Sequence, residues 1–303
     1  MAAKELVIDG LRRQPSGRRA RGEVALEQAR RERRRSLIVP REHGAWGLLL
    51  VPMVTGAGVA FRASVHVAPF LLLLTSALAL FWLRTPVESL LGTSAMRAQT
   101  KEERRGVAIV IAGLSTVAAA ALGILLWGGR NRDLWLVGAA AVVAFVGQTL
   151  LKKLGRRTRM LSEIVGTIGL TSLAPAAYYV VTGKFGATAW MLWLANLMFA
   201  GNQIHYVQLR IHTARIEGIR AKLAHGWAFA AGQAVMIGVL TVACVTGLLP
   251  VFASLAFAPL LFRGWFYFLK KPSPLAVRRL GWSELSQAAA FCVVFIAAFA
   301  LSS

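Results

Sequence analysis

Apolar runs of roughly 17 to 23 residues recur along this chain, parted only by short polar intervals, and they leave few ways for it to fold. Lipid offers no hydrogen-bond partners to peptide groups, so each run must satisfy its own backbone as a helix; the period-two alternation of barrel strands is absent. Spans are expected near residues 44–61, 67–83, 107–127, 134–151, 161–182, 187–209, 225–246, 249–269 and 282–301. The fold class is therefore all-α, a polytopic transmembrane helical bundle of about nine helices, in keeping with an apolar content of 56%. The expected division is a basic tail over residues 1–39, disordered at its start, and a transmembrane domain over 40–303.

A formal net charge of +22 would suit a nucleic-acid partner, but the distribution of the charge argues against one. Of the 35 Lys and Arg residues, all but Arg62, Arg130, Arg132 and Lys184 fall on one side of the expected membrane. Basic loops stay in the cytoplasm, so the N-terminus is expected inside and the C-terminus outside. No cleavable leader is expected, because the first apolar run lies some 40 residues in and is long enough to span. The tail would contact anionic headgroups or simply enforce orientation. A short helix is expected around Glu23–Arg35.

Local signals punctuate the rest. Thr85-Pro86-Val87-Glu88 reads as a capping box opening a short interfacial helix from Pro86 to about Met96. Pro52, Pro175 and Pro259 lie inside spans and can kink them. The pairs Gly44/Gly47 and Gly166/Gly169 sit one turn apart, a spacing that lets helices approach closely. Cys244 and Cys292 fall inside spans and read as core packing.

Strongly polar residues at membrane depth are costly unless paired or hydrated, and here they gather in the cytoplasmic half. Glu42 and His43 enter span 1, Glu163 enters span 5, and Glu284 enters span 9. Span 6 carries Asn196, Gln203 and Arg210 on one stripe of seven-residue period, with Asn202 and His205 on a neighbouring one. These residues suggest a polar cavity open to the cytoplasm, with Glu42, His43, Trp46, Glu163, Asn202, Gln203, His205 and Glu284 as ligand-binding candidates. Phe81, Trp82, Trp193 and Phe199 would join Trp46 in holding an apolar portion. Arg84, Lys152, Arg210 and Arg263 are the anion-binding candidates.

Each has a plainer reading. The glutamates sit at expected helix starts behind Ser162 and Ser283 as N-cap candidates, where the dipole alone would hold a carboxylate. Arginines near helix ends commonly snorkel, and amides commonly bond between helices. No catalytic residue is identified and no metal site is assigned; a divalent cation held by the glutamates is the one cofactor the pattern allows.

Pro40-Arg41-Glu42-His43-Gly44-Ala45-Trp46-Gly47, with Ser162–Gly166, Asn196–Arg210 and Gly281–Glu284, resembles the YwiC-like family of bacterial membrane proteins over nearly the whole chain after residue 38. That resemblance implies a multi-pass protein of the bacterial cytoplasmic membrane, with no settled activity. In architecture the chain is also similar to the UbiA-type intramembrane prenyltransferases, whose aspartate-rich motifs hold magnesium against a prenyl diphosphate. This chain has only Asp9 and Asp133, neither in a position to serve, so the likeness implies a bundle and a cavity but not the standard reaction. The expected ligand is an isoprenoid or other amphipathic lipid; a small-solute transporter and a non-catalytic membrane assembly protein are the alternatives.

Overall fold

The computed structural model describes residues 15–39, 43–62, 66–94, 96–129, 132–155, 158–271 and 276–302; the side chains of 15–23, 26, 43–45, 132, 159 and 277 lie outside the description. Among the described residues twelve helices follow in order: α1 (Pro15–Ile38), α2 (His43–Ala60), α3 (Val67–Leu91), α4 (Lys101–Trp127), α5 (Arg132–Lys153), α6 (Arg159–Thr171), α7 (Leu173–Thr182), α8 (Ala187–Thr213), α9 (Ile219–Val245), α10 (Val251–Ser254), α11 (Ala258–Leu269) and α12 (Val277–Leu301). A 3₁₀ turn, Leu255–Phe257, joins α10 to α11. No strand occurs among the described residues.

Every expected span coincides with one of these helices or with a broken pair of them. Among the described residues, seven segments are long and apolar enough to cross a membrane. The other two are α2, whose apolar part runs only from Trp46 to Ala60, and α8, whose polar stripe dilutes its 27 residues. Span 5 breaks at Ser172 into α6 and α7, and span 8 breaks at the 3₁₀ turn. Pro175 and Pro259 sit in the first turns of the new segments, where a missing N–H costs nothing. Pro52 instead stays inside α2.

The chain forms two units: residues 1–41 with 78–116, and 42–77 with 117–303. In the first, α1 is longer than the short helix expected from the tail, and its end is firmly held. Its terminal carbonyls lack intrahelical partners; the hydroxyl of Ser89 donates to Leu37 O at 3.1 Å and the indole of Trp82 to Ile38 O at 2.9 Å. Leu37 is buried against Ala98 and Val107, and Arg33 Nε reaches Glu103 Oε1 at 2.6 Å.

The expected capping box at Thr85–Glu88 is not formed: Pro86 lies inside α3, which runs on to Leu91. Glu88 pairs instead with Arg84 at 3.0 Å. The bond from Ser89 to α1 secures the turn after the proline, so tertiary contact overrides the local stop signal. The capping box lies further on, at Thr100-Lys101-Glu102-Glu103. Glu103 N–H donates to Thr100 Oγ1 at 3.1 Å, and Thr100 N–H returns to Glu103 Oε2 at 3.3 Å.

In the second unit α2 packs on α7, α8 and α12, and α5 packs on α6. A Cβ at Gly56 would lie 2.2 Å from the Ala174 carbonyl oxygen, so only glycine admits this approach of α2 to α7. Gly166 and Gly169 do face a neighbour, against Gln148 and Ala144 of α5, whereas a Cβ at Gly47 would meet nothing within 4 Å. Phe199 stacks on Phe291 with centres 4.2 Å apart, and Phe257, edge-on, and Phe295, tilted, pack on the same Phe291 ring in the core. The crossing segment of α5 is only 11% buried and turns Trp135, Leu136, Val142 and Val143 outward, as a lipid-facing helix should.

Candidate functional site

The polar stripe of α8 faces three different helices. Thr55 Oγ1 of α2 lies 3.1 Å from Asn196 Oδ1, and both residues are buried. One heptad on, Gln203 Nε2 donates to the backbone carbonyl of Glu284 in α12 at 3.1 Å. A further heptad on, the guanidinium of Arg210 lies 5.2 Å from the centre of the Tyr267 ring in α11. The stripe thus fills the interior of the second unit rather than facing lipid.

Arg263 is the hub. It does not snorkel: Nη1 pairs with Glu284 Oε1, and the guanidinium lies 3.9 Å from the centre of the Tyr206 ring. Both side chains of the pair are largely buried, so their charges interact in a medium of low polarity. The aromatic face supplies part of the stabilisation that water would give an arginine. Glu284 is the eighth residue of α12, not a helix-start charge, because α12 begins at Val277. Glu163 likewise lies past the first turn of α6, and Ser162 donates to Gln148 O at 3.3 Å instead of capping. The helix dipole therefore does not account for either carboxylate, since its effect fades within the first turn.

Several buried polar atoms have no hydrogen-bond partner among the described residues: Asn202 Oδ1, Arg210 Nε, both amide atoms of Gln233, Arg263 Nε and Nη2, Glu284 Oε2 and Gln287 Oε1. Buried polar groups are ordinarily satisfied, and each orphan costs about 1–3 kcal/mol. Arg263 of α11 and Glu284 of α12 pair with each other and each keeps an unpartnered polar atom, while Asn202 of α8 and Gln287 of α12 add two unpartnered amide oxygens. Gln233 of α9 is wholly buried beside Gly264.

The other expected site residues divide. Glu163 accepts from Gln208 Nε2 at 3.3 Å. His205 is half-buried, edge-on to Phe229 with centres 5.4 Å apart. Trp46 is half-buried and Lys152 closes the last turn of α5. Arg84 belongs to the first unit, with Glu88. Glu42 lies outside the described residues, and His43 is described only as the first residue of α2. Among the described residues no three His, Cys, Asp or Glu side chains gather to hold a metal ion. Trp82 and Phe81 lie in the first unit, while Trp193 bonds to Ile168 O and Thr171 Oγ1, and Phe199 stacks on Phe291, which are packing roles. A cleft lined by Gly47, Leu48, Val51, Pro52, Asn196 and Phe199 is too narrow to admit water.

Sequence reasoning missed Lys222, Tyr206 and Tyr267. Lys222 is only 2% exposed, and its ammonium donates to Lys270 O at 2.6 Å while lying 5.0 Å from the centre of the Tyr267 ring. A lysine beside a loop gives no sign that it will be buried. The two tyrosines, one on the same helix as the polar stripe, could have been flagged as polar atoms at membrane depth.

Residues 39–178 match the family described as YwiC-like protein. That stretch is just under half of the chain, and over it the chain is similar to the YwiC-like family. The match runs from the end of α1 to within α7 and so is shorter than the resemblance drawn from motifs, which extended through Asn196–Arg210 and Gly281–Glu284. Helices α8 to α12, which carry the cluster around Arg263, lie beyond the YwiC-like stretch. No curated protein and no solved structure matches the chain. With seven helices among the described residues long and apolar enough to span, the chain is a multi-pass membrane protein in contact with lipid.

Proposed function

We propose that this protein binds an anionic amphipathic lipid, an isoprenoid or phospholipid, from the cytoplasmic leaflet of the bacterial membrane. The N-terminus is inside and the C-terminus outside. The lipid headgroup meets the cluster of α8, α11 and α12, and its chains lie along the outer faces of these helices. One observation carries the reading: Arg263, at membrane depth, keeps Nε and Nη2 buried without partners although Glu284 has already taken Nη1. Two buried donors on one guanidinium, in a unit that also holds the unpartnered amide oxygens of Asn202 and Gln287, are what a polar headgroup or its bound water would satisfy. The basic loops on the same side favour an anionic head. The reading assigns binding and no reaction.

Purification in mild detergent followed by mass spectrometry of the retained lipids tests it. Wild type should carry one anionic lipid class enriched over the bulk membrane, and Arg263→Gln should lose that enrichment. Retained lipid of bulk composition in wild type would refute the reading. A small-solute transporter is the second reading, favoured by the two spans broken at Ser172 and at Leu255–Phe257, since interrupted helices often line transport sites. Solute flux in liposomes would distinguish it.

A further inference from the structure

Beyond Arg263, three helix ends meet around one aromatic ring. Arg210 stands in the last turn of α8, Lys222 in the first turn of α9, and Tyr267 in the last turn of α11. The guanidinium of Arg210 and the ammonium of Lys222 lie 5.2 Å and 5.0 Å from the centre of the Tyr267 ring. The ring is fixed from two sides: its hydroxyl is 2.7 Å from Thr213 Oγ1, and Tyr206 packs edge-on with centres 5.9 Å apart.

Part of this has a structural purpose. The Lys222 ammonium bonds to the carbonyl of Lys270, at the C-terminal end of α11, where a cation meets the negative end of the helix. That bond uses one of three donors. The remaining donors of Lys222 and the buried Nε of Arg210 have no partner among the described residues, and no described carboxylate pairs with either cation. Glu284, the carboxylate of the neighbouring cluster, is engaged by Arg263. Two cations on one ring, one of them fully buried, are a strongly unfavourable arrangement without a counter-charge. A π face is too weak to replace one.

We propose that Arg210 and Lys222, mounted on Tyr267, form a subsite for a phosphoryl group, the head of the lipid inferred above. This rests on the lipid-binding reading and names the chemistry of its head. A phosphoryl dianion offers several acceptor oxygens and the charge to balance both cations, and an arginine can engage it with two parallel hydrogen bonds. The same chemistry could be met by free phosphate, so the test separates the two sources.

The full chain, in nanodiscs containing phosphatidic acid or phosphatidylcholine, is examined by native mass spectrometry. In parallel, detergent-solubilised protein is titrated with inorganic phosphate and pyrophosphate while its thermal unfolding is followed. Wild type should retain phosphatidic acid over phosphatidylcholine. Arg210→Gln and Lys222→Gln should each lower that retention by roughly tenfold or more, the effect of losing one charge-assisted hydrogen bond, and Lys222→Arg should keep most of it. Equal retention in wild type and both glutamine variants would overturn the subsite while leaving the lipid reading intact. Should wild type retain no lipid, the lipid reading fails and the soluble anions decide: thermal protection by phosphate or pyrophosphate supports a free-phosphate site, and no protection overturns it. That arm needs only wild type, so a variant that does not fold does not blunt it.

Discussion

Arg263 lies with its guanidinium 3.9 Å from the centre of the Tyr206 ring and its Nη1 on the carboxylate of Glu284. One aromatic from α8 and one carboxylate from α12 thus hold a cation that α11 carries inside the bundle. Coulomb attraction in that setting is strong, but so is the cost of dehydrating both ions. Breaking the pair by removing one partner is therefore costly, whereas replacing both together is not.

Removing one partner should show this. Arg263→Met strands a carboxylate and Glu284→Leu strands a guanidinium, each with a loss approaching roughly 3–5 kcal/mol. The double variant should lose much less than the sum of the two. Unfolding free energies measured in mixed detergents give the cycle; strict additivity would mean that the two groups do not interact.

Glycine substitutions should separate close packing from mere spacing. Gly56→Ala forces a Cβ against the backbone of Ala174 and should cost about 1–3 kcal/mol. Gly47→Ala meets nothing and should be neutral or slightly stabilising. The same unfolding measurement checks both, and equal effects at the two sites would contradict the packing of α2 on α7.

In the first unit, Thr100→Ala should remove the cap of α4 at a cost of about 0.5–2 kcal/mol. Glu103→Gln should cost more, since that carboxylate also accepts from Arg33 Nε. Glu102→Gln should change little, because its contact with Arg34 is long and both side chains are exposed. Amide hydrogen exchange over residues 99–107 reports the order of these effects. Faster exchange in Glu102→Gln than in Glu103→Gln would reverse it.

Orientation is testable by single-cysteine labelling. In a cysteine-free background, a thiol at Lys184 should react with an impermeant reagent in intact cells, whereas one at Lys153 should react only after the membrane is opened. Labelling of both positions in intact cells, or of Lys153 alone, would overturn the proposed topology.

The sequence by itself determined where the helices lie, because a run of apolar residues has one hydrogen-bonded solution in lipid whatever its neighbours do. It also determined which face of α8 is polar, since a seven-residue spacing fixes direction around a helix. What the sequence could not supply was the far side of each contact. Asn196, Gln203 and Arg210 look alike as a stripe, yet they meet Thr55, the Glu284 backbone and Tyr267, residues distant in the chain.

Helix starts were equally hidden. Glu284 reads as a dipole charge if α12 begins where its apolar run begins; begun at Val277, the helix places the same residue two turns in, facing Arg263. Lys222 belongs by composition to a basic loop and by structure to the interior. Apolar periodicity is local and therefore legible, whereas the pairing of polar side chains depends on how helices remote in sequence are set against one another. Only the tertiary structure decides that register.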